Sequence, residues 1–253
     1  MESAKTVLIT QARVGSTRLP GKILLKINHK ELLRIHLDRL SCCKNIDQII
    51  VATTIDKADD KIVELCDEIG YQSSRGAVDD VLDRFYQTVK DINPAWVVRV
   101  TSDCPLIDPA LVDAVVGMAR VNDFDYVSNV LEEHFPDGQD IEVFKFSALE
   151  RAWKSAKLKS DREHVTPYIR FNSTFNGGKL FSSMNFPCFN NFSHIRMTVD
   201  EAKDFELITK LVEELGTSQN WLTYTNHIIK NDLSQINNNI IRNEGFIKSL
   251  KNN

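Results

Sequence analysis

The sequence predicts an α/β fold with a Rossmann-like, mixed but mainly parallel sheet flanked by helices, and a small subdomain in the second half. Three observations carry the core of that expectation. Short β-branched runs alternate with longer amphipathic ones through the first half, the pattern of βαβ units. The first such run leads directly into a segment rich in glycine, hydroxyl and basic residues, at the place where doubly wound sheets hold their ligands. With 253 residues, 42% hydrophobic and 26% charged, the chain suits one large domain with an appended subdomain.

Val7 to Thr10 reads as the first strand. Leu32, Leu33, Ile35, Leu37 and Leu40 recur at nearly helical spacing, which makes Glu31 to Leu40 a helix, and Ile49 to Thr53 a second strand. Asp59 to Ile69 and Val78 to Ile92 are the next helices. Trp96 to Val100 is a buried strand, and Pro109 suits the first turn of a helix reaching about Val121. The order then loosens. A strand near Tyr126, a turn at Pro136-Asp137-Gly138, a strand from Ile141 to Phe146 and helices after Ser147 and Ser160 follow. Asn176-Gly177-Gly178 signals a hairpin-type turn, Ile195 to Val199 a strand, and Ala202 to Leu215 a helix. In the Asn-rich tail, Ile236, Ile240, Ile241 and Phe246 suggest helices that dock rather than disorder. No linker or repeat divides the chain, which reads as a nucleotide-binding half (1–122), an insertion (123–200) and C-terminal helices (201–253).

A net charge of -4 argues against a general nucleic-acid binder. No run approaches the roughly 18 apolar residues of a membrane span, and no signal-peptide core precedes the first strand, so a cytoplasmic location is expected. The cysteines Cys42, Cys43, Cys66, Cys104 and Cys188 lack a CxxC pair, and no histidine joins a cysteine at zinc-finger spacing. Reduced thiols and no structural zinc follow.

The chemistry is concentrated in Gln11-Ala-Arg-Val-Gly-Ser-Thr-Arg-Leu-Pro-Gly-Lys22. Glycines such as Gly15 let backbone amides approach an anion, and Arg13, Arg18 and Lys22 supply the charge a triphosphate needs. Ala12 and Ser16 belong to the same candidate nucleotide site. It is not a Walker A loop, since Ile23 stands where Ser or Thr would follow the lysine. A solvated basic loop is the plain alternative; the position directly after the first strand favours a phosphate cradle.

The spacing Arg-x-Thr-x-Asp occurs twice, as Arg99-Val-Thr101-Ser-Asp103 and Arg196-Met-Thr198-Val-Asp200. On a strand each would aim its three polar side chains to one face and bring a carboxylate to the carboxyl end. Mg²⁺ at a transferring phosphate takes one or two carboxylates plus phosphate oxygens, which Asp103 and Asp200 can supply. The ordinary alternatives are a turn residue at Asp103 and a helix N-cap at Asp200.

Asp140 and Glu142 lie two apart on the expected strand. They can hold acceptor hydroxyls, bind a second metal or assist deprotonation of the attacking oxygen, or they are a solvated strand face. His164 is a candidate acceptor contact, although a lone histidine is more often structural. Arg162 and Arg170 are alternatives for an acceptor carboxylate, Arg84 is a candidate for the nucleotide base, and Thr53 and Thr54 for the pocket wall.

QARVGSTRLPGK at 11–22, VATT at 51–54, DDVLDRF at 79–85, RVTSDCPLIDP at 99–109, GQDIEVF at 138–144, REHVTPYI at 162–169, RMTVDEAKDFELI at 196–208 and RNEGFIKSL at 242–250 span nearly the whole chain. In them the sequence resembles the CMP-sugar-acid synthetases, which include CMP-KDO and CMP-sialate synthetases, and most closely the SpsF-type branch of spore-coat polysaccharide synthesis. The resemblance implies a cytidylyltransferase that moves CMP from CTP to a sugar acid, with Mg²⁺ on Asp103 and Asp200, and a homodimer whose small dimerisation and acceptor subdomain is the 123–200 insertion; Arg13, Lys22 and Asp103 are the catalytic candidates. CTP rests on the resemblance, because nothing in the spacing separates cytosine from uracil. The rivals are a glycosyltransferase using a finished nucleotide sugar, which needs no triphosphate loop, and a non-enzymatic module that keeps the fold.

Overall fold

The computed structural model describes residues 5–250. In chain order its regular elements are β1 (Thr6–Gln11), β2 (Lys26–Ile27), β3 (Lys30–Glu31), α1 (Leu32–Leu40), β4 (Gln48–Thr54), α2 (Asp60–Ile69), β5 (Gln72–Gly76), α3 (Val81–Val89), β6 (Trp96–Thr101), α4 (Pro109–Asn122), β7 (Tyr126–Ser128), β8 (Glu142–Lys145), α5 (Phe146–Ser155), α6 (Lys159–His164), α7 (Pro167–Phe171), β9 (Ser183–Asn185), α8 (Ala202–Leu215), α9 (Trp221–Lys230) and α10 (Glu244–Leu250). Short 3₁₀ turns at Lys22–Leu24, Lys57–Asp59, Thr174–Asn176 and Leu233–Ile236 join them.

Seven strands form one sheet in the order β5-β4-β1-β6-β8-β7-β9. β5, β4, β1 and β6 are mutually parallel; β8 runs antiparallel to both β6 and β7, and β9 returns parallel to β7. The mixed, mainly parallel sheet is therefore as expected, and strands from both halves of the chain share it. The chain leaves β1 toward β4 and β5 on one side and reaches β6 on the other. The carboxyl ends of β1 and β6 thus flank a topological switch point, where open α/β sheets leave a crevice.

Both faces of this sheet are covered, which is why its central strands are apolar throughout rather than alternating. Val7 and Ile9 of β1 pack with Phe85 of α3 and Leu149 of α5, while Leu8 packs on the other face with Val112, Val115 and Val116 of α4. α4 begins as Pro109 suggested, with Asp108 Oδ1 accepting from the Ala110 amide at 2.8 Å. A further apolar cluster joins α1, α8 and α9 to Ile195, Met197 and Val199. Among the described residues no helix is long and apolar enough to cross a membrane.

Several expectations change. Ile195 to Val199 is not a strand: only Arg196 forms a bridge, to Asp137, flanked by Asp137 N–H donating to Ile195 O at 2.9 Å and Met197 N–H donating to Asp137 O at 2.7 Å. The alternation is real, but it marks an extended strap whose apolar side faces the α8 and α9 cluster. The strand from Ile141 begins at Glu142, so Asp140 precedes it. The helix from Val78 starts at Val81, capped by Asp80, whose Oδ1 accepts from the Asp83 amide at 2.9 Å. Gly177 makes the turn anticipated there (φ 78°), but it closes a 3₁₀ turn and the nearby Ser173–Phe181 bridge is parallel, so there is no hairpin. Ile236 docks on the α8 and α9 cluster and Phe246 against His164, whereas Ile241 is exposed.

Candidate functional site

A cleft of about 460 Å³ opens at the switch point. The segment after β1 forms one wall. It is built by short backbone bonds: Ser16 and Gly21 amides both donate to Val14 O, at 2.8 and 3.0 Å, and Gly21 takes a left-handed φ of 67° to begin the turn holding Lys22. That conformation is why glycine stands before the lysine. Asp59 fastens the loop from below, its Oδ1 accepting from the Val14 amide at 2.7 Å and its Oδ2 from the Thr54 hydroxyl. Ile23 is buried against Leu33, Leu37 and Val51. The residue that separates this loop from a Walker A motif is thus its apolar anchor.

Lys22 points the other way, and its Nζ lies 2.9 Å from Asp103 Oδ2 and 2.8 Å from Asp200 Oδ1. The two carboxylates that the repeated spacing singled out therefore converge on one point from distant parts of the chain. Asp103 arrives on the turn closing β6, where Cys104 N–H donates to Thr101 O at 3.1 Å. Asp200 arrives on the strap, which is stitched to the same turn by Val199 N–H donating to Asp103 O at 2.8 Å. Asp200 is not the helix cap; Glu201 caps α8 in a reciprocal box with Asp204.

Around Asp200 the charge is dense. Its Oδ1 also meets Arg18 Nη2 at 3.0 Å, and its Oδ2 accepts from Arg196 Nη2 at 2.8 Å. Arg196 is buried, holding Asp137 with Nη1 and Asp204 with Nε at 2.9 Å. Burial works against both ends of the Lys22–Asp103 pair, yet their mutual attraction wins: the ammonium is held above its ordinary pKa and the Asp103 carboxyl well below the carboxylate range. Lys22 and Asp103 are therefore both ionised near neutrality.

The cleft lining brings together Ala12, Arg13, Ser16, Arg18, Lys22, Arg84, Asp103, His164 and Asp200. Arg13 is exposed at the rim. Arg84 is buried, with Nη1 donating to Ala77 O at 2.8 Å and Nε without a partner among the described residues. Burial and then the neighbouring Arg13 lower its pKa to about 10. Gly15, Thr53, Asp140 and Glu142 lie outside that lining. Thr53 is fully buried with a hydroxyl that has no partner among the described residues, and Thr54 is engaged by Asp59.

Asp140 and Glu142, expected to share a face, have separate partners. Asp140 Oδ1 accepts from Arg242 Nη2 at 2.9 Å; Glu142 is buried between Arg99 and the Tyr126 hydroxyl, which donates at 2.6 Å. Partial burial raises the Asp140 carboxyl to about 7 despite Arg242. His164 lies in the lining, held through Nε2 to Ser249 Oγ at 3.0 Å and edge-on to Phe246. Because the Ser249 hydroxyl donates to Phe246 O at 2.8 Å, the histidine Nε2–H must be the donor. Burial holds His164 to about 4, so the ring is neutral at pH 7. Arg162 is spent on structure, with Nε on Asp80 at 2.7 Å and Nη1 on Trp153 O at 3.1 Å, and Arg170 lies outside the cleft.

Sequence reasoning missed Asp59, whose signal was only an Asp near a helix start, and the buried Asp137 and Asp204 behind Arg196. It also missed Lys159, Glu163, Glu244, Gly245 and Lys248, by which α6 and α10 close the far end of the cleft.

A family model described as cytidylyltransferase matches residues 7–233. The chain is 46% identical over 207 residues to an uncharacterised protein of Methanocaldococcus jannaschii, covering 82% of this chain and 83% of that protein. It is 30% identical over 222 residues to the spore coat polysaccharide biosynthesis protein SpsF of Bacillus subtilis, covering 83% and 87%. Among solved structures, a cytidylyltransferase from Leptospira borgpetersenii superposes with a TM-score of 0.86 at 32% identity, over 94% of this chain and 99% of that one.

Proposed function

The chain belongs to the cytidylyltransferase family, and from that premise we propose that its cleft transfers CMP from CTP to a sugar acid or related small acceptor, releasing pyrophosphate, in the synthesis of a surface glycan. The observation that carries the reading is the convergence of Lys22 with Asp103 and Asp200 beside the Gly15–Gly21 loop. A triphosphate needs cations on one side and a metal-binding pair of carboxylates on the other. Both are within one cleft.

In this reading Arg13, Arg18 and Lys22 bind the phosphates, and Ala12, Gly15 and Ser16 belong to the loop that lies along them. The hard oxygens of Asp103 and Asp200, both within reach of one ammonium, suit Mg²⁺. When bound, that ion would neutralise charge on the α-phosphate and the departing pyrophosphate. The loop cations hold the triphosphate so that the acceptor oxygen attacks the α-phosphorus in line. They then balance the charge that builds on the leaving oxygens. Arg84, which lines the cleft, is assigned to the nucleotide base, and the buried Thr53 to the same nucleotide pocket.

The acceptor side is assigned to the end closed by α6 and α10. There neutral His164 offers a hydrogen-bonding ring, and Asp140, paired with Arg242, and Glu142, held by Arg99 and Tyr126, are the further acceptor candidates. The polysaccharide role in the Bacillus relative's name, and the resemblance to sugar-acid synthetases, support a sugar-acid acceptor. A homodimer through the 123–200 region fits the exposed Phe171, Phe175 and Phe189 there. A cytoplasmic site of action fits the use of CTP. The test is pyrophosphate release with each of the four nucleoside triphosphates against a panel of sugar acids. Release with CTP and one acid, and little with the other triphosphates, is the expected result; release that requires no acceptor, or none with CTP, would remove the proposal.

A further inference from the structure

Resting on the reading that Asp103 and Asp200 are metal ligands, we infer that Lys22 and Arg18 are place-holder cations for the metal. In the nucleotide-free chain they occupy the electrostatic position of the divalent ion, so the metal enters only together with the triphosphate that draws them away.

The geometry supports this in three ways. Lys22 Nζ bridges the two carboxylates at 2.9 and 2.8 Å, which is where a cation shared by both would lie. The side chain is only 12% exposed, so the ammonium is enclosed by the pair rather than resting on it. Finally, the count of charge is already complete. Two carboxylates face Lys22, Arg18 and Arg196, the last two meeting Asp200 at 3.0 and 2.8 Å. A free divalent ion would have to displace the ammonium, and the two carboxylates left to it would still face the guanidinium groups of Arg18 and Arg196.

The three cations are not equivalent. Arg196 is buried and also bonded to Asp137 and Asp204, so it stays on Asp200 Oδ2 whatever binds. Lys22 and Arg18 belong to the loop, and Arg18 is exposed. Its other neighbours, Glu201 and Glu244, are 3.8 Å away. A bound triphosphate presents several anionic oxygens to these same side chains. As they turn to it, Asp103 Oδ2 and Asp200 Oδ1 are released for the ion that travels with the nucleotide. The exchange conserves local charge balance, and it predicts an order: nucleotide and metal bind together, and metal alone binds poorly.

The test uses the full chain and Mn²⁺ alone as probe, followed by electron paramagnetic resonance or calorimetry without nucleotide. Lys22→Met removes the ammonium and keeps the side-chain length, so it should bind Mn²⁺ at least about tenfold more tightly than the parent, a modest result for deleting one unit charge at contact distance. Arg18→Gln, at an exposed position of the loop, should shift affinity in the same direction by less. Adding Asp103→Asn to Lys22→Met should abolish the gain. Mn²⁺ affinities equal to the parent's in both single variants would overturn the inference, as would a gain that survives Asp103→Asn. The underlying reading fails separately: it falls if Asp103→Asn and Asp200→Asn bind Mn²⁺ with a non-transferable α,β-methylene CTP as tightly as the parent does.

Discussion

Lys22 and Ile23 are neighbours that face opposite environments, one between two carboxylates in the cleft and the other in the core. That division of labour makes the loop testable residue by residue. Arg18→Ala and Lys22→Ala should each weaken CTP binding by about 10- to 100-fold, the size of a lost charge-assisted hydrogen bond, as calorimetry with CTP and Mg²⁺ would show. Thermal stability should hardly change for the exposed Arg18. Unchanged affinity in both would remove the loop from the phosphate site. Asp103→Asn and Asp200→Asn keep size and hydrogen-bonding ability, so each should fold; turnover should fall by roughly 100-fold or more, with a higher Mg²⁺ requirement. Parental turnover with parental Mg²⁺ dependence would mean that the aspartate is not a ligand. At this scale the sequence was informative, because a repeated spacing marked both carboxylates. It was blind to Asp59, Asp137 and Asp204, whose importance comes only from what the fold sets beside them.

Among the elements, the strap at 195–200 decides whether Asp200 reaches Asp103. Gly138 makes the closeness possible: a Cβ there would lie 2.7 Å from Met197 C and Thr198 N, and its φ of 106° is one that side chains rarely adopt. Gly138→Ala should cost more than about 2 kcal/mol of stability and lower turnover by displacing the strap. A denaturation midpoint and a rate equal to the parent's would show that the contact is slack. Asp59→Ala tests the other wall; loss of the Val14 and Thr54 bonds should weaken CTP binding about tenfold while leaving the carboxylate pair intact. Period-two alternation at Ile195, Met197 and Val199 looked like a strand because an extended segment facing a core has the same signature, and only the absence of a continuous partner distinguishes them. β5 was illegible for the opposite reason, since Gln72-Ser-Ser-Arg-Gly76 is a polar edge strand with little to bury. The β2–β3 turn relies on Asn28 and His29 at positive φ, a pair that no glycine announces.

Across the whole molecule, the central sheet was readable because strands buried on both faces spell out their apolar content. The closing of the cleft by α6 and α10 was not, since it depends on contacts across some eighty residues, such as His164 to Ser249. The core also sets an acid limit. His36, fully buried under the cleft, donates from Nδ1 to Cys104 O at 2.9 Å and accepts from the Thr10 hydroxyl at 3.0 Å, and burial depresses its pKa to about 4. The unfolded chain takes up a proton near pH 6.5 while the native chain refuses it. Stability is therefore full above about 6.5 and declines toward pH 4, by on the order of 3 kcal/mol from this group. His36→Gln should be less stable at pH 8 yet show a shallower decline over that window in urea titrations; an unchanged slope would exclude His36 as the source. Sizing chromatography should give a dimer that Phe189→Asp weakens, and a monomer at micromolar concentration would exclude the 123–200 interface. The central claim concerns which phosphorus is attacked, and following the α-phosphorus of CTP tests it most directly. With CTP labelled at the α position, the label should appear in a CMP–sugar-acid product while all label from the γ position leaves as pyrophosphate. Label passing from the γ position to the acceptor, or an α label that stays in CTP while a nucleotide sugar is consumed, would contradict the account.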